Sequence, residues 1–251
     1  SPDKLALTLI EMVRGGIAEL PIDVTVFCET ATPLDAGFVT SLPFPVREVA
    51  PLSATADAAL RARLQQELFE YVILFESSGM YNGEDIPWLA SHLTGRLDAV
   101  WGSRRLSVRD IQESLRVKYR HNAVLRSISH VGSHALSLIY LALYGRYVSD
   151  TLSGARAVRV DDACRVSLPL THKRANQELL SHLLRRKAEM YEVPVFFYSV
   201  SPHQVKRTTL VDGLLSIGTI LWLRVRARPA APGTAAPATA DPEPTPASTA
   251  R

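Results

Sequence analysis

The sequence predicts an α/β fold, a doubly wound and mostly parallel sheet with helices on both faces. Three observations predict it. Short apolar or β-branched runs alternate with segments of helical period along the whole chain. Two of those runs end in polar, ligand-type residues: Tyr71–Phe75 passes straight into Glu76-Ser77-Ser78, and Leu97–Trp101 into Gly102-Ser103-Arg104. Open α/β sheets deliver ligand-binding side chains in this way, at the carboxyl ends of their strands. Finally, 251 residues with 47% hydrophobic and 21% charged content suffice for one sizeable domain with a buried core.

The elements follow in order. Leu5–Ile17 has helical spacing, and Ile22–Cys28 (IDVTVFC) is a β-branched run. Ala56–Phe69 reads as a helix and Tyr71–Phe75 as a strand. Asp85–Thr94 is a helix opened by an acidic turn with Pro87 early in it, where its missing N–H costs nothing. Leu97–Trp101 is a short strand, and a long helical region fills Ile111–Tyr144. Ala155–Val160 is a strand, Gln177–Arg186 a helix, Val193–Tyr198 a strand and Asp212–Arg226 a last amphipathic helix. Pro229–Arg251 consists mainly of Ala, Pro, Thr and acidic residues; it cannot bury a core and is expected to be disordered. One domain over residues 1–228 is therefore expected, with no internal repeat.

The formal net charge of +3 is far from a nucleic-acid-binding composition, so no nucleic-acid partner is expected. The basic excess is local: Arg104, Arg105, Arg109, Arg116, Lys118, Arg120 and Arg126 fall within 23 residues. This is either a solvated face or an anion-binding one. Two cysteines, Cys28 and Cys164, form no disulfide framework or zinc pattern and point to a reducing compartment. A cytoplasmic location follows, with the inner face of the cell membrane as a variant of it. The start, Ser-Pro-Asp-Lys without Met, suggests a cut or incomplete N-terminus.

Around Glu76 the context is more specific. Glu76-Ser77-Ser78 is followed by Gly79, Tyr81 and Glu84-Asp85-Ile86-Pro87. This stretch resembles family-two glycosyltransferases of the GT-A fold, in which a strand ends in Asp-x-Asp before an aromatic residue and an acidic, Pro-containing helix start. The likeness continues in the family's order. Asp98-Ala-Val-Trp-Gly-Ser-Arg104 looks like its "D-x-V-x-G-S-R" strand, and Asp150-Thr-Leu-Ser-Gly154-Ala-Arg156 like its "D-x-x-S-G-x-R" loop. Asn176-Gln177-Glu178 and then Glu192-Val-Pro-Val195 look like its acidic helix and "E-V-P-V" strand. Lys206-Arg207 leading to Asp212-Gly-Leu looks like its closing basic segment. The resemblance covers Tyr71 to Arg226 and is similar to the polyprenyl-phosphate sugar synthases.

The resemblance implies a GT-A-like sheet and transfer of a hexosyl group, with inversion, from a nucleotide-diphospho-sugar. The acceptor it implies is a polyprenyl phosphate or a cell-envelope glycan precursor. It assigns Glu76 and Ser78 to a divalent metal, Mg²⁺ or Mn²⁺, and Ser77, Gly102, Ser103 and Arg104 to the donor diphosphate. Asp150 with Gly154 would shape the acceptor pocket, and Asp150 with Glu178 would carry the catalytic side. Lys206 and Arg207 would meet phosphate oxygens. The family needs a general base unless its acceptor is already ionised, as a lipid phosphate is.

Two departures stand out. Ser78 occupies the second carboxylate position, so metal affinity is expected to fall, although a hard cation that keeps most of its waters needs only about one or two carboxylates. The family's first strand has no counterpart, and in the second the acidic end has shrunk to Cys28-Glu29-Thr30, leaving Glu29 to meet the donor. The Lys-Gly stretch that usually follows is eroded to Ser53–Leu60. A rival reading is therefore a catalytically silent GT-A-like domain that binds a partner or lipid. A nucleotidyltransferase would show a Gly-rich N-terminal loop, and none is present here.

Val131–Tyr144 is apolar but too short to span a bilayer. Asp212–Arg226 carries Leu214, Leu215, Ile217, Ile220, Leu221 and Trp222 ahead of Arg224 and Arg226, a pattern suited to peripheral membrane contact. His130 and His134 stand four apart without a nearby acid, and read as a helix face rather than a metal site.

Overall fold

Chain segments whose apolar residues recur every three to four positions become helices, and those that alternate become strands. In the computed structural model, residues 2–17, 20–27, 34–49, 53–66, 69–93, 95–106, 123–169, 174–198 and 210–226 are described. Helix α1 (Pro2–Arg14) starts with Pro2, has Asp3 in its first turn and ends on Arg14, each matched to the helix dipole. Its buried face is Leu5, Leu9 and Met12. These pack with Val26 of β1 (Val24–Phe27), Phe44 and Ile86. Strand β1 pairs in parallel with β2 (Val46–Val49), with the short helix α2 (Ala36–Thr40) between them. Strand β2 was not expected: Val-Arg-Glu-Val is too short and too charged to announce itself, and its pairing with β1 decides it.

After α3 (Ala54–Gln66) come β3 (Tyr71–Phe75), α4 (Asp85–Ser91) and β4 (Ala99–Ser103). Then follow α5 (Ala123–Tyr144), β5 (Ala155–Arg159), α6 (Val160–Cys164), α7 (Ala175–Arg185), β6 (Met190–Pro194) and α8 (Leu210–Val225). The second sheet has the order β3-β5-β4-β6. Strands β3, β4 and β6 run the same way and β5 runs against both of its neighbours. The reversal has a local cause. The loop before β5 already lies at the carboxyl end of β4, where Ser149 Oγ meets Ser103 Oγ at 2.6 Å. A strand that begins at that edge must run back down the sheet, so β5 brings its first residues, not its last, to the site.

Alternation along the strands separates two faces. Ala99, Trp101, Val158 and Met190 lie under Leu136 and Tyr140 of α5, Leu179, Leu180 and Leu183 of α7, and Ile220 of α8. Val100, Ala155, Ala157, Val193 and Val195 lie on the opposite face with Tyr81 and Leu89 of α4. Helices thus cover both faces, as the α/β reading expects. Trp101 is fully buried and its indole N–H donates to the Asp150 carbonyl at 2.8 Å, which ties the core to the loop at the sheet edge. Residues 229–251 lie outside the described residues.

Candidate functional site

At the end of β3 the ladder continues one step: the Glu76 N–H donates to the Gly154 carbonyl at 3.0 Å. The Glu76 side chain is exposed there, and its carboxylate makes no hydrogen bond or ion pair among the described residues. Gly79, at φ +78°, turns the chain back. Tyr81 then closes the loop, its phenol oxygen accepting from the Gly154 N–H at 2.8 Å. Its ring stands edge-on between Phe75 (5.8 Å) and Phe197 (5.2 Å). Burial pushes the Tyr81 hydroxyl up to about 12, so it stays neutral across the physiological range. Gly154 cannot carry a side chain without disturbing this arrangement: a Cβ would sit 2.8 Å from Glu76 Oε2 and 2.9 Å from Glu76 Cβ.

The second group joins the end of β4 to the loop before β5. Arg104 grips Asp150 with a fork, Nε to Oδ2 at 2.6 Å and an Nη donor to Oδ1 at 2.7 Å, while its own backbone N–H adds a third bond at 3.1 Å. The Leu152 N–H supplies a fourth donor to the same carboxylate at 3.3 Å. Burial alone would raise the Asp150 pKa, but the charge and hydrogen bonds of Arg104 outweigh it and hold the carboxyl below the usual range. The Arg104 guanidinium also lies 5.0 Å over the Phe197 ring. Ser149 is fixed in turn by Glu192, whose carboxylate accepts from its N–H at 2.9 Å and its hydroxyl at 2.6 Å.

These contacts change how several expected residues are understood. Gly102 is buried, and the space of its missing side chain is filled by the Ala155 carbonyl and Val195 Cγ1, each 2.7 Å from where a Cβ would stand. Its glycine serves strand packing rather than approach of a ligand. Ser103 is fully buried and bonded to Ser149. Arg104 spends its fork on Asp150, so neither is free for a ligand. Glu178 does not face Asp150: its carboxylate accepts from the Ser167 and Leu168 N–H groups at 2.8 and 3.0 Å and caps that turn. Asn176 and Gln177 are the buried residues of that helix start. Ser77 stands beside Glu76, and Ser78 Oγ accepts from the Met80 N–H at 3.4 Å. Glu29, Lys206 and Arg207 lie outside the described residues. His134 meets Arg105 and Tyr147; the His130 side chain is not described.

A divalent cation can be tested against these residues. Among them no group of three or more His, Cys, Asp or Glu comes together. What remains is one unengaged carboxylate, Glu76, with a serine hydroxyl two residues on. That set fits a water-rich Mg²⁺ or Mn²⁺ held jointly with a diphosphate, and does not fit an all-protein cage.

Sequence reasoning overlooked Tyr81, Glu192 and Arg156 as site residues, although each stands inside a quoted motif. Arg156, at the start of β5, donates to the Ser153 carbonyl at 3.2 Å and lies 5.9 Å from the Trp101 ring. An arginine between two alanines, inside a strand that reads Ala-Arg-Ala-Val-Arg, was the available signal.

No family model matches this chain, and no curated protein matches it either. Among solved structures it is similar to glucosyl-3-phosphoglycerate synthase from Mycobacterium tuberculosis in complex with phosphoglyceric acid. The identity is 15%, the TM-score 0.54, and the match covers 88% of this chain and 75% of that one. The same synthase in complex with Mn²⁺ and uridine-diphosphate-glucose matches at 17% identity and a TM-score of 0.45, over 86% and 82%. The first likeness establishes the fold: an α/β domain of the GT-A glycosyltransferase type.

Proposed function

We propose that this protein transfers a glycosyl group from a nucleotide-diphospho-sugar. One observation carries the reading. Motifs that lie far apart in the sequence, at 76–81, 102–104, 149–156 and 192–197, converge on one sheet edge around the unengaged carboxylate of Glu76. Glu76, with Ser78, would hold a Mg²⁺ or Mn²⁺ on the donor diphosphate. When bound, such a cation offsets the charge that develops on the leaving nucleotide.

The engagement of Asp150 and Glu178 bears on the acceptor. A neutral hydroxyl must lose its proton as it attacks, and a carboxylate already accepting four hydrogen bonds is a poor base. An acceptor that arrives ionised, such as a polyprenyl phosphate or another phosphorylated cell-envelope precursor, needs none. A peripheral site at the cytoplasmic membrane face agrees with the exposed apolar side of α8, where Leu214, Leu215, Leu221, Trp222 and Val225 stand near Arg224 and Arg226. Among the described residues no helix is long and apolar enough to cross a membrane.

The same engaged carboxylates favour a second reading, a silent GT-A domain that binds without catalysing. Calorimetry with UDP and with GDP, each with and without Mn²⁺, separates the two. Metal-dependent micromolar binding, about −8 kcal/mol, supports the transferase. Absence of binding to either nucleotide under both conditions leaves the silent domain.

A further inference from the structure

Strands β3 and β5 pair with Leu74 opposite Arg156 and Phe75 opposite Ala155. The bond from the Glu76 N–H to the Gly154 carbonyl carries this register one step further. Glu76 therefore faces Gly154 and stands diagonal to Arg156, and the period of two puts all three positions on one face of the sheet. Diagonal neighbours of this kind lie roughly 7–8 Å apart, within reach of long side chains. Gly154 leaves the place between them empty, and Glu76 fills it: its Oε2 comes within 2.8 Å of where a Cβ on Gly154 would stand. The carboxylate thus leans over the strand that carries Arg156.

Arg156 is fixed behind it. The residue is 7% exposed, donates to the Ser153 carbonyl at 3.2 Å and lies 5.9 Å from the buried Trp101 ring. Among the described residues it has no ion-pair partner within salt-bridge distance. Burial draws the guanidinium down to about 10, while Tyr81 and Glu76 act the other way, so it stays charged near neutral pH. The neighbouring charges are answered locally: Arg104 by Asp150, and Glu192 by the Ser149 donors. Glu76 and Arg156 then sum to zero, and position 78 supplies a serine where a second carboxylate could outweigh the arginine. Two opposite charges side by side give a bare divalent cation little net attraction, whereas a cation already carrying a diphosphate is not repelled.

We propose that Arg156 is a positioning residue that acts through Glu76: its fixed charge holds the carboxylate over Gly154 and keeps it from capturing a bare divalent cation, so that the cation enters on the donor diphosphate. This rests on the reading of Glu76 as the cation's ligand. Arg156 itself touches neither the cation nor the diphosphate.

The test measures Mn²⁺ binding to the whole chain by water-proton relaxation, with and without UDP, after correction for the Mn²⁺–UDP complex in solution. Calorimetry reads UDP itself. The wild type should bind Mn²⁺ about 10–100-fold more tightly with UDP than without it. Arg156→Met and Arg156→Gln both remove the charge, and the second keeps a donor for the Ser153 carbonyl. Each should tighten Mn²⁺ alone by about tenfold, the scale on which a unit charge roughly 7–8 Å away repels a doubly charged ion even at the dielectric of water. Each should leave Mn²⁺ binding in the presence of UDP unchanged or weaker. Damage to packing alone would weaken both. Arg156→Lys keeps the charge and should stay within about threefold of the wild type. Adding Glu76→Gln to Arg156→Met should remove the gain. The proposal is overturned if the neutral variants leave binding of Mn²⁺ alone unchanged or weaken it, if Arg156→Lys behaves like Arg156→Met, or if the gain survives Glu76→Gln. If UDP binds to no form of the protein, the transferase reading falls, and the Mn²⁺ titrations without UDP still decide the role of Arg156.

Discussion

Replacing Asp150 with alanine removes the acceptor of four N–H groups and leaves the Arg104 guanidinium against the Phe197 ring without its ion-pair partner. The Asp150 side chain is 3% exposed and that of Arg104 27%, so solvent recovers little of the loss. Breaking one side of a buried pair costs about 3–5 kcal/mol. At about 2–4 °C per kcal/mol for a chain of this size, the melting temperature should fall by roughly 6–20 °C. The assay is urea and thermal unfolding followed by circular dichroism, on Asp150→Ala, Arg104→Met and the double variant. The double variant should be less destabilised than the sum of the singles, with a coupling of about 2 kcal/mol. The Asp150 pKa is depressed in the fold, so its contribution is present above the unfolded value, near 4, and is lost as pH falls through the folded value. A loss under about 1 kcal/mol, or full additivity, would refute the view that this pair anchors the loop to the sheet edge.

Asp85 behaves in the opposite sense. It is 2% exposed, and burial, with smaller help from Glu84 and Glu11, lifts its carboxyl to about 7. Stability should therefore fall between about pH 4 and 7, where the unfolded chain ionises and the folded one does not, and level off above. Asp85→Asn should remove that slope and be more stable than the wild type at pH 8 by roughly 4 kcal/mol, with no such gain at pH 4, read from urea midpoints. Gly154→Ala should cost about 1–3 kcal/mol and weaken Mn²⁺-dependent UDP binding, because its Cβ displaces Glu76; an unchanged metal response would detach Glu76 from the site. Ser78→Asp should tighten Mn²⁺ binding by about tenfold in calorimetry, as a second carboxylate joins Glu76; no change would count against a metal at this position.

Local pattern alone determined a good deal of this protein. The β-branched run at Val24–Phe27, the apolar run at Tyr71–Phe75 and the helical period of residues 175–185 each carry their own signal, because which face is buried is written in a spacing of two or 3.6 residues. The placement of Glu76 just past a strand was legible for the same reason. Only the tertiary structure decided the direction of β5, since strand direction depends on which edge of the sheet the preceding loop has reached. It likewise decided that Gly102 serves packing, that Arg104 and Asp150 satisfy each other, and that Glu178 turns to the Ser167 N–H. Those outcomes depend on partners that lie tens of residues away in the chain or on another turn. Burial then determines which polar groups find partners among the described residues and which atoms, like Arg156 Nε, do not.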